Sequence, residues 1–210
     1  MPHYAISEGL LIATCLWAGY RALNHSNHVA APAALVAVIS IGAAAVIGAL
    51  RYGLNLHDSL TELHNTLSGI SGTAGIMCVA MALAAPVTSF AIRDHLVHFA
   101  LSIVLFGVTA SAYVYLPGNR LDTLIGPMII IAAALGAWIR HRTGDRVGTV
   151  LIMASVLLLL VNGLAIGAGD ELLLDLIARW HVFHTLMAVW VVVFTLAVLR
   201  PLPRRTRPGQ

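Results

Sequence analysis

The chain is a succession of apolar runs, each about as long as a bilayer is thick, separated by short polar or proline- and glycine-bearing punctuation. A helix rising ~1.5 Å per residue needs about 20 residues to cross the hydrocarbon core. Seven such runs are present, at about 5–23, 31–52, 60–85, 91–116, 121–139, 147–167 and 172–199. Lipid offers no hydrogen-bond partner to an exposed backbone, so runs of this kind must be helices. The expected fold is therefore all-α, a polytopic seven-transmembrane-helix bundle. The balance of 59% hydrophobic and 10% charged residues, with a mean hydropathy of +0.88, excludes a soluble domain. One domain over residues 1–199 is expected, followed by a basic, proline-rich tail over 200–210 without fixed structure. Met1 to Ser7 lacks a basic leader and no small-residue cleavage site follows, so the first span is expected to be retained.

Arginine decides the expected orientation. Arg21, Arg93, Arg140, Arg142, Arg146, Arg200, Arg204, Arg205 and Arg207 fall at one set of ends, and only Arg51, Arg120 and Arg179 at the other. Basic residues favour cytoplasmic loops, which puts the N-terminus outside and the C-terminus in the cytoplasm. The chain has no lysine, and that rules out a retinal Schiff base. The sequence pI of 9.2 follows from arginine at membrane borders and gives no reason to expect nucleic acid as a partner. The expected partners are membrane lipids and a lipid-like substrate, in a bacterial cytoplasmic (inner) membrane. Cys15 and Cys78 lie within apolar runs and read as small buried hydrophobes.

Against this apolar background a few residues stand out. An ionisable group at membrane depth costs roughly 2.5–3.5 kcal/mol on insertion scales, so each marks a candidate site. The seventh run carries Asp175 and Arg179 at i,i+4, then His181 and His184. The third carries His57, His64 and Ser68 on one helical face, Asn65 beside them, and Asp58 and Glu62 on a neighbouring face. In the fourth, Asp94, His95 and His98 share a face, so Asp94 is placed to orient His98. Glu8 lies in the first turn of the first run, as a solvated helix-start carboxylate or as a site residue, and Arg51 ends the second run at the outer interface. Pro127 and Asn162 read as features of a packing scaffold.

Imidazole binds zinc, copper and iron, and three protein ligands with an open water position is the catalytic zinc arrangement. His181 and His184 make a pair, with His64 or His98 as the third ligand. Measured from the outer end of the expected span, His181 lies about 14 Å deep and His184 about 18 Å, with His64 at about 6 Å and His98 at about 27 Å. Depth alone does not choose between the two. A second chemistry is electron transfer: His64 and His181 on facing helices would hold haem b, with Arg51 or Arg93 at the propionates. A third is a non-catalytic membrane subunit or a proton-relaying transporter.

Seven spans, an outside N-terminus and a histidine pair in the last span resemble the superfamily of alkaline ceramidases and progestin/adipoQ receptors. Glu62, Asn65 and Ser68 resemble the E-x-x-N-x-x-S stretch of the ceramidases, and HFALS from His98 resembles the segment around their early-span histidine. The pair here is i,i+3 where that family has i,i+4. Asp94 stands where the family has a serine, and the E-x-x-N stretch falls on the third span rather than the first. The resemblance implies a zinc-dependent membrane hydrolase of lipid amide or ester bonds, with His64 or His98, His181 and His184 on the metal. It also implies Glu8, Glu62 or Asp94 as general base; Asn65 and Ser68, together with Arg51 at the outer interface, are the residues expected beside a bound group.

Overall fold

The computed structural model describes residues 3–88, 94–116, 121–167, 171–173 and 177–202. The expectations for Arg93, Arg120, Asp175 and most of the tail lie outside these residues. Seven helices follow in order: α1 (Tyr4–Asn24), α2 (Ala31–Gly53), α3 (His57–Thr88), α4 (His95–Tyr115), α5 (Leu121–Arg142), α6 (Arg146–Ile166) and α7 (Arg179–Val198). The six from α2 to α7 are long and apolar enough to cross a membrane. In α1 the charges of Glu8 and Arg21 dilute an otherwise apolar run. Two π-helical turns interrupt the regular winding, Ser71–Gly75 within α3 and Val161–Ile166 at the end of α6.

Small residues let the helices approach closely, which drives packing where lipid is as apolar as any side chain. α2 lays Ala31, Ala34, Ala37, Val38, Ile41, Ala45 and Gly48 against its neighbours, and α1 meets it with Leu11, Cys15, Ala18 and Ala22. α7 fills the centre with Trp190 and Phe194, both fully buried and stacked at 5.2 Å. A Cβ on Gly136 would strike the Leu83 carbonyl, so α5 and α3 touch through backbone there. α4 reverses the pattern of a water-soluble helix: its buried residues are His98, Ser102 and Thr109, while its leucines and valines face outward. That arrangement suits a helix lying in lipid.

The end of the bundle that carries the C-termini of α1, α5 and α7 is closed by a charged clamp. Arg140, at 1% exposure, donates from Nη1 to Asp145 Oδ2 at 2.6 Å and from Nη2 to the Arg200 carbonyl at 2.8 Å. Arg200 Nε and the Gly148 amide donate to Asp145 Oδ1 at 2.8 and 2.9 Å. Burial alone would push the Asp145 carboxyl up. The Gly148 amide and the two guanidiniums outweigh it and hold the group below its ordinary range. His28, in the α1–α2 loop, is driven down to about 4 by burial and then by the charges of Arg140 and His25.

The last span differs from the expected 172–199. Leu172–Leu173 pairs antiparallel with Ile177–Ala178, and α7 begins only at Arg179. Arg179 pairs with Glu171 at 3.1 Å. His181 is thus about 3 Å and His184 about 7.5 Å from the helix start, far shallower than a span from 172 would place them.

Candidate functional site between α1, α3 and α7

Glu8 is completely buried. It lies on the α1 face that also buries Tyr4, Leu11, Cys15, Ala18 and Ala22, so the packing of that stripe carries the carboxylate inward. The expectation of a solvated carboxylate in the first turn fails because α1 starts at Tyr4, and Ser7 bonds back to the Tyr4 carbonyl at 3.1 Å rather than capping the helix. Room for Glu8 comes from Gly48 of α2: a Cβ there would land on Glu8 Oε1 and press on His64 Nε2.

Two imidazoles meet this carboxylate. His184 Nε2 stands 3.3 Å from Glu8 Oε1, and His64 Nε2 stands 4.0 Å from the same oxygen. His64 is the one buried residue of the His57–Ile70 part of α3. Counted from their helix starts, Glu8, His184 and His64 lie about 6, 7.5 and 10.5 Å deep, so they meet one to two turns below the same end. The rings are steadied by aromatic neighbours, with Trp180 against His184 at 4.4 Å and against His64 at 6.1 Å.

The tautomer of His184 follows from its other nitrogen. Nδ1 is 2.9 Å from the Trp180 carbonyl, which can only accept, so Nδ1 carries the hydrogen. A neutral ring then presents a lone pair from Nε2 towards Glu8. Neither oxygen of Glu8 has a hydrogen-bond partner among the described residues. A lone pair facing a carboxylate oxygen is repulsive, and only something positive between them, a proton or a metal ion, makes the approach favourable.

The three side chains form one wall of a cavity of about 360 Å³. Asn65, Ser68 and Ser71 extend its polar side along α3, and Leu11, Ile41, Ile76, Phe183 and Met187 make the rest apolar. Asn65 and Ser68 line the cavity and are also exposed, so it opens at α3. The π turn beginning at Ser71 borders it, as such turns often do at functional sites.

The other expected site residues fall elsewhere. His181 Nδ1 is 3.2 Å from Ser7 Oγ, and its ring packs on His3 and Tyr4 at 5.3 and 5.0 Å, so it ties α7 to α1 above the cavity. Glu62 is exposed and does not line the cavity. Arg51 spreads over the Tyr52 ring at 4.8 Å. Asp94 caps α4 by accepting from the Leu96 amide at 2.8 Å, and His98 is buried one turn further along that helix, at the end opposite to Glu8. Trp180, Gly48 and Ser71 are not among the expected site residues, although Gly48 reads from sequence as a point of close helix approach and Trp180 as a neighbour of the histidine pair; each is buried on the inner side of its helix.

Among the described residues no group of three His, Cys, Asp or Glu side chains is placed so as to hold a metal ion. Glu8, His64 and His184 nonetheless fit one chemically: two imidazoles and a carboxylate are a zinc donor set, and the orphaned Glu8 oxygens call for a cation. Of the pair expected for haem, His181 turns its Nδ1 to Ser7 Oγ at 3.2 Å, and His64 turns its Nε2 towards Glu8 at 4.0 Å. Family models, curated proteins and solved structures give no match to this chain.

Proposed function

We propose that this protein is an intramembrane metal-dependent hydrolase, a seven-span bundle with its N-terminus outside, acting on an amide or ester bond of a lipid-like amphiphile in a bacterial cytoplasmic membrane. The observation that carries this reading is the convergence of His64 and His184 Nε2 on a fully buried, unpartnered Glu8 carboxylate at the polar wall of a mainly apolar cavity. Glu8, His64 and His184 would hold zinc, which when bound supplies an acidified water and polarises a carbonyl. The Trp180 carbonyl fixes the His184 tautomer so that Nε2 stays available. Asn65, Ser68 and Ser71 offer hydrogen bonds to a polar head, and Leu11, Ile41 and Met187 receive its apolar part. Trp180, buried and tilted against the His184 ring, keeps bulk water from the outer end. In this reading Glu8 of the first helix takes the place expected for His181, which bonds to Ser7, and His64 rather than His98 completes the set.

Metal analysis of the detergent-purified chain tests it. About one zinc per chain, lost in Glu8→Gln and in His184→Ala, is the expected result; wild-type protein without metal after zinc supplementation would overturn it. The 3.3 Å approach of Glu8 to His184 also favours a second reading, in which a proton is held between them and relayed. A metal-free wild type whose Glu8 carboxyl band disappears from the infrared spectrum in Glu8→Gln would support that one.

A further inference from the structure

Asn162 is fully buried in the π turn that ends α6, and its side chain reaches α7. Nδ2 donates to the Phe183 carbonyl at 3.1 Å. That carbonyl belongs to the residue immediately before His184, whose own ring is tied to the Trp180 carbonyl one turn earlier. α7 is therefore gripped by one side chain from a neighbouring helix at the level where it presents its imidazole to Glu8.

We propose that Asn162 is a positioning residue for the Glu8–His64–His184 site: its amide fixes the rotation of α7 about its own axis. The inference rests on the metal-site reading for its consequence, and on the Asn162–Phe183 hydrogen bond for its cause. The lever is geometric. Side-chain tips lie about 5–6 Å from a helix axis, so a rotation of about 20° carries His184 Nε2 roughly 2 Å sideways. The separation from Glu8 Oε1 is 3.3 Å, and a shift of that size removes His184 from any ligand shared with Glu8. An ordinary α-helical turn would pass Asn162 by a different azimuth; the wider π turn brings its amide against α7. His181 with Ser7 links α7 to α1 one turn above, in the outermost turns, whereas Asn162 acts on the backbone at the level of His184.

The test uses the full chain in detergent, loaded with cobalt(II) chloride, whose visible bands report ligand geometry. Asn162→Asp keeps the shape and loses the N–H donor, Asn162→Gln keeps a donor, and Asn162→Ala serves if the aspartate variant does not fold. The expected result is a tenfold or greater loss of cobalt affinity with altered bands in Asn162→Asp or Asn162→Ala, and recovery of most of the affinity in Asn162→Gln. Unchanged affinity and bands in the aspartate and alanine variants, whatever their thermal midpoints, would overturn the proposal. If wild-type protein takes up no cobalt, the metal reading fails by itself. The positioning role is then read from carbethoxylation of His184 by diethylpyrocarbonate, quantified by peptide mass spectrometry. Faster modification in Asn162→Asp than in wild type upholds it, and equal rates sink it.

Discussion

His184 Nε2 faces Glu8 Oε1 at 3.3 Å across the interface of α7 and α1, with its other nitrogen committed to the Trp180 carbonyl. Two helices from opposite ends of the chain thus present a lone pair and a carboxylate to each other, both buried in an apolar bundle. The pairing makes sense with a cation between them and is costly without one.

The ligand assignment predicts a pattern among the histidines. His184→Ala and His64→Ala should each abolish stoichiometric zinc. His181→Ala should lower stability modestly and keep the metal, because that ring bonds to Ser7 and not to Glu8. His98→Ala should also keep it. Zinc lost equally from all four variants would show that the site is not built as proposed.

Gly48→Ala should displace Glu8, since its Cβ would occupy the place of Oε1. Metal affinity should fall by an order of magnitude or more while the bundle still forms. Gly107→Ala is the control: a Cβ there meets nothing within 4 Å, and affinity should not change. Calorimetric titration of both variants distinguishes a close-packing effect at the site from a general cost of losing glycine.

The charged clamp should matter for stability and not for metal. Removing one partner of a buried ion pair costs roughly 3–5 kcal/mol, because the charge left behind is uncompensated. Asp145→Ala leaves Arg140 in that state, and the detergent-solubilised protein should unfold at a clearly lower temperature. Arg142→Ala, whose guanidinium lies over the exposed Trp138 ring at 5.7 Å, should have little effect on the same scale.

Acid should loosen this end of the bundle in two stages. His28 titrates near 4 in the fold against 6.5 for an ordinary histidine, so the unfolded chain binds more protons between those values. Stability is then complete above about pH 6.5 and falls as pH drops towards 4. The Asp145 carboxyl, held below its ordinary 3.8, adds a further loss at still lower pH. A thermal midpoint followed from pH 8 to pH 4 should decline, and His28→Gln should flatten the upper part of that decline.

Much of the helical layout was legible because membrane-spanning runs have a length set by bilayer thickness, and the breaks between them carry proline, glycine and charge. The start of α7 was not: Leu172, Leu173, Ile177 and Ala178 are apolar enough to extend the run, yet Leu172–Leu173 pairs antiparallel with Ile177–Ala178 and the helix begins only at Arg179. Glu8 was legible in principle, since Tyr4, Glu8, Leu11, Cys15, Ala18 and Ala22 form one stripe at helical spacing. Its place at the head of an apolar run favoured the solvated reading instead.

The sequence by itself determined that the chain is a bundle of apolar helices with a few ionisable residues inside it, because the cost of a polar group in hydrocarbon is a local property of each residue. It also marked His64, Asn65, Ser68 and His184 as residues to watch. Which of them meet was decided only by tertiary structure. Depth along a helix can be counted from sequence, but azimuth and neighbour cannot: His64 and His98 were equally acceptable until packing carried His64 to 4.0 Å from Glu8 and placed His98 at the other end of the bundle. The partner that completed the pair, Glu8, and the glycine that makes room for it both depend on contacts between helices far apart in the chain.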